Sequence, residues 1–80
     1  MRIDKFLKIS RVIKRRTVAN EACDNGRVSV NGRPVRASYE IKENDVVEIS
    51  FGTRVVKFRV KSVLPYAGKD EAPYMYEIIE

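Results

Sequence analysis

Three consecutive cations, Lys14, Arg15 and Arg16, stand directly before Thr17 in the stretch KRRTVANEACDNGRVSVNG. A threonine hydroxyl accepts a hydrogen bond from a backbone N–H two or three residues further on, so Thr17 is expected to cap a helix. The cations then crowd the helix start, where the macrodipole is also positive and adds repulsion. Something anionic must compensate. Exposed N–H groups, dipole and three cations together make an anion site, and phosphate is the commonest biological group to occupy one.

Other chemistries find little material. One cysteine, Cys23, precludes an intramolecular disulfide, and without any histidine the familiar zinc constellations cannot be assembled. No metal or other cofactor is expected. Cys23 also lacks a histidine to activate it, so it reads as a small core residue. The carboxylates of Glu40, Glu43, Asp45 and Glu48 read as turn and strand-face residues rather than a catalytic pair, and no enzyme is expected. No apolar run reaches the length of a membrane span, and Arg2, Asp4 and Lys5 stand where a signal peptide would turn apolar. The expected setting is the cytoplasm, with no membrane partner.

The net charge of +5 is unevenly spread along the 80 residues. Residues 1–36 carry ten Lys or Arg against Asp4, Glu21 and Asp24, whereas residues 37–80 carry six against eight acids. Solubility alone does not require that segregation; a field that attracts a polyanion does. The reading from these residues is an RNA-binding module.

The elements that must position the cations follow from the spacing. Ile3, Phe6 and Leu7 recur at helical spacing, with Lys5 and Lys8 on the other side of the wheel, where they suit either a solvated face or RNA contact. Ser10 and Arg11 fall at the end of this helix, and a turn at Val12 and Ile13 follows. A second helix is expected from Thr17 to Asn25, with Val18, Ala19, Ala22 and Cys23 on its apolar arc and Asn20, Glu21 and Asp24 on its outer one. Gly26 ends it. Val28 and Val30 then alternate with polar residues as a half-buried strand, and Asn31-Gly32 signals a type I′ hairpin. Pro34 keeps the returning strand short or at an edge.

Further on, Asn44-Asp45 makes a turn, and Val47, Ile49 and Phe51 alternate as a strand. Gly52-Thr53 is a second hairpin turn, leading into Val56, Phe58 and Val60 on one face and Lys57, Arg59 and Lys61 on the other. Those aligned cations are read as a wetted outer face rather than a second RNA surface. Pro65, Gly68 and Pro73 bracket a loop, and Tyr74, Tyr76 and Ile78 alternate as a last strand, with the tyrosines assigned to core packing. The expected class is α+β: two short N-terminal helices on one side of a small, mainly antiparallel sheet.

RIDKFLK at the start, then SRVIKRRTVANEACDNGRVSVNG, then the acidic turn NDVVEI, together resemble the S-four-type RNA-binding domain named after a small-subunit ribosomal protein. The placement of Asp4, Arg11, Arg16, Gly26, Val28, Asn31 and Gly32 agrees as a set. The resemblance covers residues 1–52 as an RNA-binding core, leaving 53–80 as a C-terminal β extension of one domain, a part that varies widely among relatives. Asn44 departs from the glycine frequent in the family, but asparagine tolerates the positive φ such a turn needs.

In length and early start the chain is similar to stand-alone family members of bacterial ribosome quality control, with the fifteen-kilodalton heat-shock protein a relative. That resemblance implies a large ribosomal subunit carrying stranded peptidyl-tRNA. The protein would contact rRNA and hold the P-site tRNA while an RqcH-type factor supports template-free alanine tailing. It also implies that Arg2 and Arg16 are the principal RNA-contacting arginines, with Arg11, Lys14 and Arg15 in the same patch. Lys5, Lys8, Arg27 and Arg33 complete the candidate RNA-binding set, on a chain expected to be a monomer. The competing readings are a heat-shock-type protein recycling free large subunits and a small DNA-binding regulator, whose recognition helix would poorly tolerate Glu21 and Asp24. For Arg16 the structural alternative is pairing with Glu21 or Asp24.

Overall fold

A computed structural model describes residues 1–64 and 68–79. Helix α1 (Ile3–Ile9) forms where Ile3, Phe6 and Leu7 line one side, and all three are fully buried. No side chain caps its start. Instead the Ile3 N–H donates to the Tyr39 carbonyl at 2.7 Å and the Asp4 N–H to that of Ala37 at 3.3 Å, so a later loop satisfies the orphan donors. An isolated antiparallel bridge between Arg2 and Glu40 fixes the same junction. After the cap at Ser10 the chain turns at Arg11, whose φ of 64° lies in the left-handed region.

Helix α2 (Arg16–Asp24) starts two residues earlier than a cap at Thr17 would place it. Its N-cap is Arg15, in extended conformation with no side-chain hydrogen bond, and Thr17 is already inside the first turn. A tertiary contact anchors the start in place of the hydroxyl, as the site geometry shows. The buried stripe is also narrower than expected. Ala19 and Cys23 are buried, but Val18 is 47% exposed, because the small residues one turn apart face the neighbouring elements and Val18 lies beyond their edge. The outer arc is not wholly idle either: the Asp24 carboxylate accepts the Ala37 N–H at 3.1 Å.

Strands β1 (Val28–Val30), β2 (Arg33–Pro34), β3 (Val46–Phe51), β4 (Arg54–Val60) and β5 (Tyr76–Ile78) form a sheet of order β2-β1-β3-β4-β5. Every pairing is antiparallel. Asn31 and Gly32 both have positive φ, 52° and 86°, as the type I′ turn between β1 and β2 demands. Asn44 takes a φ of 74°, so the departure from glycine is absorbed. Pro34 ends the two-residue edge strand β2 as expected.

Val28, Val30, Val47, Ile49, Phe58 and Val60 turn inward and join the α1 and α2 residues in one core. Phe6 of α1 stacks on Phe58 of β4 at 6.4 Å between ring centres, and Tyr76 of β5 meets Phe58 edge-on at 5.3 Å. Phe51, expected inward, is 39% exposed at the hairpin end of β3.

The last strand is the largest correction. Of the expected loop, Pro65 lies outside the described residues; beyond it Ala72–Tyr74 form a short 3-10 helix with Pro73 near its start. Proline fixes φ and has no N–H to give a ladder, so the strand can begin only past it. Tyr74 is therefore left 75% exposed outside β5, and Met75 takes the fully buried place assigned to it.

Gly32→Val tests the first hairpin. No atom lies within 4 Å of a Cβ built there, so the cost is conformational: about 1–2 kcal/mol for a left-handed residue. Thermal unfolding should shift down by roughly 4–8 °C per kcal/mol for a chain of this size, and an unchanged midpoint would argue against the turn.

Candidate nucleic-acid interface

The chain places an acid, Asp4, in the first turn of α1, and its side chain is 2% exposed. A buried carboxylate must be hydrogen-bonded or neutralised, and this one is fully engaged. Oδ1 accepts the Lys5 N–H at 2.8 Å and Arg16 Nη2 at 3.4 Å; Oδ2 accepts Asn20 Nδ2 at 3.1 Å and Arg2 Nη2 at 3.2 Å. Arg16 and Asn20 are one helical turn apart on α2, so both reach the same point. The start of α2 is thus tied to α1 through a side chain sixteen residues before Asn20, and not through Thr17.

Burial alone would push the Asp4 pKa up. The hydrogen bonds from Asn20 and Arg16, the Arg16 charge and the Lys5 N–H outweigh it and hold the carboxyl below its ordinary range. Cys23, by contrast, is pushed up to about 11, by burial first and then by Asp4 and Asp24, which leaves an unreactive thiol.

Arg2, Asp4, Arg16, Thr17, Asn20 and Glu21 line an open cleft of about 430 Å³ between the two helix starts. Arg2 and Arg16 are half-exposed, at 50% and 46% of their side chains. Of the sequence-predicted set, only these two are brought together by a shared partner. Lys14 and Arg15 are exposed on the approach to α2, Arg11 is exposed at the turn after α1, Lys8 is exposed near the end of α1, and Lys5 is half-buried on it. Arg27 is exposed between α2 and β1, and Arg33 on the edge strand β2.

Among the described residues no salt bridge involves Lys5, Lys8, Arg11, Lys14, Arg15, Arg27 or Arg33. On the second half, Glu77 takes Arg59 at 3.0 Å and Lys61 at 4.0 Å, and Lys57 lies across from Glu48 in the β3–β4 ladder. That agrees with a wetted sheet face. Arg16 pairs with Asp4 rather than with Glu21 or Asp24, and Asn20, assigned to the outer arc, is half-buried on the same carboxylate. The part played by Asp4 was missed in the sequence; the signal that could have found it is an acid inside an apolar helical turn together with Arg16 and Asn20 at i, i+4.

Residues 1–47 match the model of the S4 domain. Over 79 residues the chain is 49% identical to the RQC P-site tRNA stabilizing factor of Streptococcus pneumoniae, covering 99% of this chain and 90% of that one. It is 45% identical over 80 residues to the protein of the same name from Bacillus subtilis, covering 100% and 93%. The structure of heat shock protein 15 from Vibrio cholerae superposes with a TM-score of 0.90 at 22% identity, over 99% of this chain and 81% of that one. The same two-helix and antiparallel-sheet fold is thereby shown.

The lowered Asp4 pKa makes an acid-stability prediction. The unfolded chain takes up the proton first as pH falls, so the stability Asp4 contributes is complete above the ordinary carboxylate value and is lost as pH drops through the lower, folded value. Asp4→Asn should cost about 1–3 kcal/mol at neutral pH. Its stability should then change less than that of the unsubstituted chain below about pH 4. Denaturant melts at several pH values would show this, and parallel acid limbs would exclude Asp4 as the titrating group.

Proposed function

The chain belongs to the S4 domain family, and from that premise we propose that it is an RNA-binding factor of ribosome quality control acting on the large ribosomal subunit. The relatives it matches along nearly its whole length are named for stabilising P-site tRNA. Carried to this chain, the role is to contact rRNA and hold a P-site peptidyl-tRNA on an obstructed large subunit. An RqcH-type factor is the partner that extends the nascent chain with alanine. The protein works as a cytoplasmic monomer and is a binding factor rather than an enzyme.

The observation that carries this reading is the group of cations around the helix starts that the domain does not neutralise. Arg11, Lys14 and Arg15 are exposed with no acidic partner among the described residues, and Arg2 and Arg16 share a single carboxylate. No side chain caps α2. Its first-turn N–H groups and positive dipole end therefore add to the same field, which suits a phosphate oxygen. Lys5, Lys8, Arg27 and Arg33 widen the surface along α1 and toward the hairpin.

Binding should be strongly salt-dependent. If Arg2, Arg11, Lys14, Arg15 and Arg16 each neutralise one phosphate of a single-strand-like target, the log–log slope of affinity against salt is roughly −3.5, and if Arg2 and Arg16 share one it is roughly −2.8. Arg16→Lys keeps the charge but gives up the flat two-donor edge of a guanidinium, so co-sedimentation with large subunits should drop sharply. Lys57→Ala on the outer sheet face should leave it nearly intact. A slope near zero, or equal losses for the two variants, would contradict the assignment.

A further inference from the structure

We propose that Asp4 is a positioning residue for RNA: its buried carboxylate holds the guanidinium groups of Arg2 and Arg16 side by side so that together they grip one phosphate. The inference rests on the RNA-binding reading and adds the residue that sets the geometry of its central contact. Arg2 and Arg16 come from different helix starts and would repel one another if brought together alone. The carboxylate between them removes that repulsion, one oxygen to each: Oδ2 to Arg2 at 3.2 Å and Oδ1 to Arg16 at 3.4 Å.

Asp4 cannot itself serve the RNA. Its two oxygens already accept four hydrogen bonds, and its side chain is 2% exposed. The arginines can. Each commits Nη2 to Asp4, about half of each side chain remains exposed, and both border the cleft. A guanidinium carries five N–H donors in a planar fork, so Nε and Nη1 stay available on each for phosphate oxygens. Immobilising both side chains before the ligand arrives removes an entropic cost that binding would otherwise carry. Asn20 and the Lys5 N–H, both neutral, fix the carboxylate without adding charge of their own.

A purely electrostatic role for Asp4 predicts a different result. Asp4→Asn takes the net charge from +5 to +6, so charge alone would tighten the grip on a polyanion. Positioning requires the opposite: weaker binding in spite of the added charge. Purified bacterial large ribosomal subunits serve as the probe, with co-sedimentation at fixed salt on full-length variants shown to be folded by circular dichroism. Asp4→Asn and Arg16→Ala should each weaken binding about tenfold, the equivalent of one or two side chains left to be ordered by the ligand.

If Arg16→Ala weakens binding while Asp4→Asn leaves it unchanged or tighter, the positioning role is overturned and the RNA-binding reading stands. If Arg16→Ala has no effect, the RNA-binding reading itself fails at this site. A cycle of Arg2→Ala, Arg16→Ala and the double variant tests the same geometry without touching Asp4. A shared phosphate makes the two losses strongly non-additive, whereas additive losses would show two independent contacts and end the proposal.

Discussion

A buried carboxylate is an expensive group to place inside a chain of 80 residues, and the arrangement of the helices follows from satisfying it. Asp4 would cost several kcal/mol if left without partners in the interior. Its donors come from three places: the next backbone N–H, the extended residue before α1, and the first two turns of α2. They meet with α2 starting at Arg16 and packed against α1. The contact thus anchors the helix start that the Thr17 capping argument places too late. Among the described residues no buried side-chain polar atom is left without a partner.

The same carboxylate limits how much positive charge the domain neutralises for itself. At the helix starts one acid serves two arginines; on the sheet Glu77 serves Arg59 and Lys61, and Glu48 stands opposite Lys57 in the ladder. The remaining Lys and Arg of residues 1–36 have no acidic partner among the described residues. A domain selected for stability alone would disperse these charges, because like charges near a positive helix end are unfavourable. An anion bound at this uncapped helix start would offset that repulsion.

What was legible in the sequence was what depends on neighbours along the chain. Asn31-Gly32 and Gly52-Thr53 specify hairpins because few residue pairs tolerate the positive φ those turns need, and alternating valines set the inward face of each strand. The cationic cluster was legible as a cluster. What was not legible depends on distant partners: Asp4 meets Arg16 and Asn20 only after the chain has folded back. The narrow burial of α2, which leaves Val18 outside, reflects which neighbours it finds and not its own periodicity. Tyr74 illustrates a local conflict, in which alternation argued for a strand but the backbone limits of Pro73 prevailed.

The strands that carry none of the candidate cations still bear on the site through α1. Phe6 sits one turn after Arg2 and Ile3 on that helix, and its ring stacks on Phe58, which Tyr76 of β5 closes from the far side. Val60 and Met75 are fully buried in the same layer. Removing β4 and β5 would take away the ring on which Phe6 stacks, a side chain that contributes about 1.5–3 kcal/mol when fully buried, and α1 at seven residues is far too short to persist without such packing. Since the start of α1 presents Arg2 and Asp4, the second half of the sheet acts as the support that holds one wall of the cleft in place. Through that packing the strands fix where α1 presents these two residues beside the start of α2.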